Sequence, residues 1–137
     1  HRLPFKSRSL GVIVSHGSMH HWRRLDIALS EVKQVLAENG FIYISDLRRD
    51  APQAVVKGIT DLLNERQARA FLHSVRAAYT MEELSTLVQE AGLAHIRVEP
   101  ENFSRRTIMR NMQELRRSPM RGIRQVSLNL RLVGGGG

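Results

Sequence analysis

The sequence predicts an α/β fold, a partial doubly wound sheet in the order β-α-β, helices, β-β. Three observations predict it. First, the apolar run Val12-Ile-Val14 collapses within one residue into Ser15-His-Gly-Ser-Met-His-His-Trp22, as a buried strand does on reaching solvent. Second, Leu25, Ala28, Leu29, Val32, Val35 and Leu36 recur at the spacing of an amphipathic helix. Third, a second apolar run, Phe41–Leu47, follows the turn-forming Asn39-Gly40 and also ends in polar residues. A strand, a helix and a strand within about 35 residues is a βαβ unit, with both strands parallel and adjacent.

The elements follow in order. The segment up to Ser9 is extended and polar, with Pro4 against a regular helix. The first strand covers Val12–Ser15, the helix Leu25–Leu36 with Asp26 near its start, and the second strand Phe41–Leu47. Asp50-Ala-Pro52 opens the next helix, with Asp50 as N-cap and Pro52 just inside. Its pattern runs through Val55, Val56, Ile59, Leu62 and Leu63; a second piece covers Ala68–Ala78, so this is two short helices or one bent near Asn64-Glu65. Thr80-Met-Glu-Glu83 is a capping box that opens a further helix ending at Ala91-Gly92. Two strands are expected at Ala94–Glu99 and Arg105–Arg110, split by the turn-prone Glu99-Pro-Glu-Asn102. Beyond Asn111 the pattern weakens: Gln113–Arg117 has a short helical pattern and Val126–Val133 alternates like a strand. Gly134–Gly137 reads as linker. The organisation expected is a domain over residues 1–111 and a basic tail over 112–137.

At 137 residues the chain has the length of one domain, and its 42% hydrophobic content suits a globular protein. No apolar run approaches the ~20 residues of a membrane span, and the first residues lack a signal-peptide core, so a cytoplasmic protein without membrane attachment is expected. With no cysteine, thiol nucleophiles and zinc-thiolate sites are excluded. The net charge of +8 is uneven: residues 104–137 hold eight arginines against the single acid Glu114. Such a tail attracts nucleic acid by counterion release, but no aromatic stands between its arginines to stack on bases, and a solvated tail is the better reading.

Three clusters invite chemistry. His20-His21 with His16 suggests a metal site, but adjacent histidines are expected to point apart and no carboxylate set completes it. Either histidine has the proton affinity of a general base. Trp22 reads as a core plug or pocket wall. Asp46 either steers a ligand or caps the next turn, and Arg48-Arg49 between Asp46 and Asp50 is a locally neutral surface patch or a carboxylate clamp.

Taken together, Leu3-Pro-Phe5, Val12–Trp22, Ala28–Leu36 with Asn39-Gly40, Ile44–Asp50 and Tyr79–Leu93 resemble the class I S-adenosylmethionine-dependent methyltransferases. The resemblance covers about residues 3–110 and implies a Rossmann-like, seven-stranded mixed sheet whose last strand is antiparallel. It makes residues 12–15 the fourth strand and 41–46 the fifth. It implies that Ser15, His16 and Gly17 lie beside the methionine part of S-adenosylmethionine, and that Met19, His20 and His21 border the methyl-transfer site. Asp46 and Arg48, at the end of the fifth strand, would face a small-molecule methyl acceptor. Gly11 stands where the family often carries an acid. The family's Gly-rich loop and its ribose-gripping and adenine-side acids have no counterpart in these residues. The expectation is therefore a truncated domain, the C-terminal half, lacking about 90 residues of three βαβ units and binding cofactor poorly alone. The open edge of the first strand would then invite self-association. A non-catalytic interaction module or a nucleic-acid-binding protein is the alternative.

Overall fold

The computed structural model describes residues 2–104 and 125–135. Its elements are β1 (Leu10–His16), a 3-10 turn (Met19–His21), α1 (Leu25–Val35), β2 (Leu36–Leu47), α2 (Gln53–Thr60), α3 (Glu65–Ala77), α4 (Met81–Glu90), β3 (Arg97–Ser104) and β4 (Gln125–Gly135). The four strands form one open sheet in the order β1-β2-β4-β3. β1 and β2 are parallel, with Ile13 opposite Ile42 and His16 opposite Ser45. β4 runs antiparallel to both its neighbours. The expected parallel pair, the βαβ unit and the antiparallel last strand are therefore all present.

Period-two alternation sorts the strands into two faces. Ile42, Ile44, Leu130 and Leu132 are fully buried and form one apolar cluster with Leu25, Leu29 and Val32 of α1 and Leu84 and Val88 of α4. Trp22 packs at the margin of this cluster, as a core plug does. On the opposite face Val12, Val14 and Phe41 remain exposed, so the first strand, expected to be buried, is covered on one side only.

Helix starts follow side-chain chemistry where a cap exists. Thr80 and Glu83 make the expected capping box of α4, and Asn64 with Gln67 makes another at α3. The expected cap at Asp50 is not formed. α2 begins at Gln53, after an extended Pro52 that occupies the N-cap position without a side-chain bond. Asp50 instead accepts from Arg48 Nε at 2.8 Å and from the Met81 amide at 3.4 Å. A charged donor two residues away outcompetes a neutral amide for this carboxylate.

The C-terminal third departs most from expectation. β3 runs straight through Glu99–Asn102, which read as a turn. Among the described strands it lies at the sheet edge, where a proline without an N–H is tolerated, and a bulge between Glu101 and Asn102 absorbs the irregularity. The segments 105–110 and 113–117 lie outside the described residues, as do most of the arginines of the expected tail. From Gln125 on there is no tail but an interior strand: β4 sits between β2 and β3, with Leu130 and Leu132 wholly buried. Gly134 is part of it rather than linker. A Cβ there would stand 2.8 Å from the His95 carbonyl oxygen and 3.3 Å from Ile96 Cα, so close backbone approach requires the glycine.

No helix among the described residues is long and apolar enough to cross a membrane.

Candidate active site

The carboxyl ends of β1 and β2 carry the site, as open α/β sheets place their ligand crevices. At the end of β1 the chain turns on Gly17, whose φ of +63° is the left-handed conformation glycine adopts without strain. The Gly17 amide donates to the Ser45 carbonyl at 2.8 Å, continuing the parallel ladder one step past the strand. The Ser15 and Ser18 hydroxyls bond across this turn at 2.6 Å. Met19 then plunges into the core and anchors the 3-10 turn.

That anchoring brings His20 onto Asp46. The His20 amide donates to Asp46 Oδ2 at 2.6 Å, and Nδ1 lies 2.9 Å from both carboxylate oxygens. The Leu47 amide donates to Oδ1 at 2.7 Å. The Asp46 side chain is completely buried and that of His20 is 7% exposed. A carboxylate only accepts, so Nδ1 must carry the proton and Nε2 of the neutral ring is left as an acceptor. Nε2 is buried and has no hydrogen-bond partner among the described residues. This is an imidazole fixed in tautomer and orientation, with its lone pair uncommitted.

His21 is exposed and leans on His20, the ring centroids 3.9 Å apart at 43°. The two histidines therefore do not point apart as expected. Asp46 pins one ring in place, and its open face receives the other. Among the described residues no group of three or more His, Cys, Asp or Glu side chains is placed to hold a metal ion.

The structure thus joins Ser15, Gly17, His20 and Asp46 into one unit spanning two strand ends. His16 is exposed at the rim, opposite Ser45. Asp46 spends both oxygens on His20 and Leu47, so it orients the imidazole and caps the turn at once. Arg48, two residues on, gives Nε to Asp50, and its amide bonds the Leu128 carbonyl at 2.9 Å. Arg49 donates to the Ala78 carbonyl at 2.9 Å and pairs with Glu83. The Arg48 bond holds the Asp50 carboxyl below the usual carboxylate range. The Thr80 amide, with Arg49 adding to it, does the same for Glu83.

A second polar cluster escaped the sequence reading. On the opposite sheet face, Glu101 of β3 accepts from the Tyr43 and Ser45 hydroxyls, and Asn129 Nδ2 lies 3.3 Å from Ser45 Oγ and 3.4 Å from Glu101 Oε2. Ser45, Glu101 and Asn129 are all buried. The one available signal was the alternation Ser127, Asn129, Arg131 between apolar residues. Assigning Glu101 to a turn concealed its partner.

With this strand order and direction, the chain has the class I S-adenosylmethionine-dependent methyltransferase fold, as its likeness to solved structures of such enzymes shows. The methyltransferase-domain family model matches residues 1–44, the stretch holding β1, the turn, α1 and most of β2. The chain is 28% identical over 97 residues to the uncharacterised protein YafE of Escherichia coli (strain K12), a match spanning 66% of this chain and 42% of YafE. Among solved structures, the plantazolicin methyltransferase BamL, in complex with a triazolic desmethylPZN analog and SAH, superposes with a TM-score of 0.62 at 20% identity. That match covers 96% of this chain and 55% of BamL. A SAM-dependent methyltransferase from Thermotoga maritima gives a TM-score of 0.63 at 13% identity, over 99% of this chain and 60% of that one. The chain spans about half the length of these relatives.

Proposed function

We propose that these residues form the acceptor side of an S-adenosylmethionine-dependent methyltransferase, moving a methyl group to a small-molecule acceptor, with His20 as the general base. The observation that carries the reading is the uncommitted, buried Nε2 of His20, held from behind by Asp46. A ring built this way is costly to bury unless a ligand comes to it. Ser15, His16 and Gly17, at the end of β1, fit the methionine side of the cofactor. When bound, S-adenosylmethionine supplies an electrophilic methyl group on a sulfonium sulfur.

The chain's own contribution is position and proton transfer. His20 Nε2 accepts the proton of an acceptor hydroxyl or amine as its heteroatom becomes nucleophilic, and Asp46 stabilises the imidazolium that forms. His21 flanks that ring and shares the rim with His16. Asp46 acts as a positioning residue. Arg48, engaged with Asp50, is a candidate for the outer wall of the acceptor site.

Since the nucleoside-gripping motifs have no counterpart in these residues, the isolated chain should hold S-adenosylhomocysteine only weakly. A titration followed by backbone amide resonances tests this. Shifts confined to Ser15–His21 with affinity in the ~millimolar range are expected. No shifts there at saturating ligand would overturn the site. Micromolar binding would overturn the reading that these residues carry no nucleoside grip.

Self-association is a second expectation. β1 stands at the sheet edge beside exposed Val12 and Val14, an arrangement that invites strand pairing between copies. A clean dilute monomer by size exclusion would refute it. No specific observation favours the nucleic-acid reading, since seven of the eight arginines invoked for it lie outside the described residues.

A further inference from the structure

The end of β2 leads past Asp46 and Arg49 directly into α2 and α3, and between these helices lies an open surface cavity of about 680 Å³, with Ala54, Lys57 and Arg76 exposed along it. That is the size range of small-molecule sites. One wall is apolar, from Ala54, Val56, Leu72 and Val75. The charged lining is unbalanced: Arg49, Lys57 and Arg76 face a single acid, Asp61. Two of these cations are already committed. Lys57 Nζ lies 2.6 Å from Asp61, and Arg49 is held by Glu83 and the Ala78 carbonyl. Arg76 has no acidic partner among the described residues. Its place in the last turn of α3 suits the helix dipole, which accounts for a cation there but not for its lying at a cavity mouth.

We infer that the α2–α3 cavity binds an apolar molecule bearing one carboxylate, with Arg76 as its anion partner. A guanidinium offers the planar fork that a carboxylate matches, and the aliphatic wall takes the rest of the molecule. α3 also packs against the Met19–His21 turn, so one helix touches both this cavity and the His20 site. As the acceptor class for methyl transfer, the inference rests on the function proposed above. As a binding site, it does not.

The experiment is an amide-resonance titration of the chain with octanoate and 1-octanol. Octanoate should give saturable shifts at Ala54, Val56, Leu72 and Val75, and Arg76→Gln should weaken it about tenfold. Octanol should bind both proteins equally, at the weakened level. Arg76 is exposed, so an unchanged thermal melt will show that the variant is folded. Equal affinity for octanoate and octanol, an unaffected Arg76→Gln, or no shifts at the four apolar residues would overturn the inference. Failure here with S-adenosylhomocysteine still shifting Ser15–His21 removes the cavity and leaves the methyl-transfer reading. Octanoate binding without those shifts upholds an anion pocket and removes the transferase.

Discussion

Replacing Asp46 with alanine tests how much of this fold hangs on one buried carboxylate. Three donors converge on it: the His20 amide at 2.6 Å, the His20 ring at 2.9 Å and the Leu47 amide at 2.7 Å. The side chain is fully buried, so alanine leaves three donors without an acceptor in a place water does not readily reach. At ~1–3 kcal/mol for each buried unsatisfied group, with some relaxation of the 3-10 turn, Asp46→Ala should destabilise the chain by about 3–5 kcal/mol. Against a typical ~5–15 kcal/mol of total stability, that is a substantial share. Asp46→Asn keeps one carbonyl oxygen but turns an N–H₂ toward donors, and should lose about 1–3 kcal/mol. Urea denaturation followed by far-ultraviolet circular dichroism reads both, and the slope should be unchanged if the unfolded state is the same. An alanine variant within ~0.5 kcal/mol of the parent, the range of ordinary surface substitutions, would refute the claim that this carboxylate organises the site.

Other consequences are open to the same assay. Leu132→Ala should cost about 2–5 kcal/mol, because a fully buried leucine in an interior strand leaves a cavity; a tail residue would show no effect. Gly134→Ala should cost ~1–3 kcal/mol by forcing strand and loop apart, whereas Gly135→Ala, with no atom nearer than 3.8 Å to the new methyl, should be neutral; equal effects would count against the packing described. Acid should weaken the fold through Glu83 and Asp50, whose folded-state pKa values are lowered. Their contribution is complete above the ordinary carboxylate range near pH ~4, and it is lost as pH falls through the lowered folded values, because the unfolded chain takes up protons first. Glu83→Gln should flatten the stability profile in that acid window, because it lowers stability at neutral pH, where the carboxylate's contribution is complete, and not below the folded pKa, where that contribution is already lost.

What the sequence made legible was local or set by periodicity. The polar collapse after Val14, the 3.6-residue stripe of Leu25–Val35 and the Thr80–Glu83 box each carry their own structural instruction, and each is realised. Placing two parallel strands side by side brought their polar ends together, but the pairing of His20 with Asp46 was not read from the sequence. The misreadings share another cause. Pro100 and the neighbouring Glu and Asn residues satisfy turn statistics, yet an edge strand tolerates them, and edge status is a property of the whole sheet. Val126–Val133 alternates clearly, but net charge and the terminal glycines outweighed that pattern. Only partners more than 80 residues away, such as Tyr43 opposite Val133, decide that the segment is interior.

Because β3 is hydrogen-bonded to β4 alone among these strands, the order of synthesis differs from the order of assembly. Among the described strands, residues 97–104 have no partner until 125–135 emerge to fill the gap beside β2. β4, made after both of its neighbours, therefore joins β3 to the rest of the described sheet. Until then the Ser45 hydroxyl lacks Asn129, and Glu101 stands outside the sheet that later buries it. A nascent chain stalled before Gln125 would present an unpaired β2 edge to chaperones, and a lesion in β4 would be felt first at β3 rather than at the His20 turn.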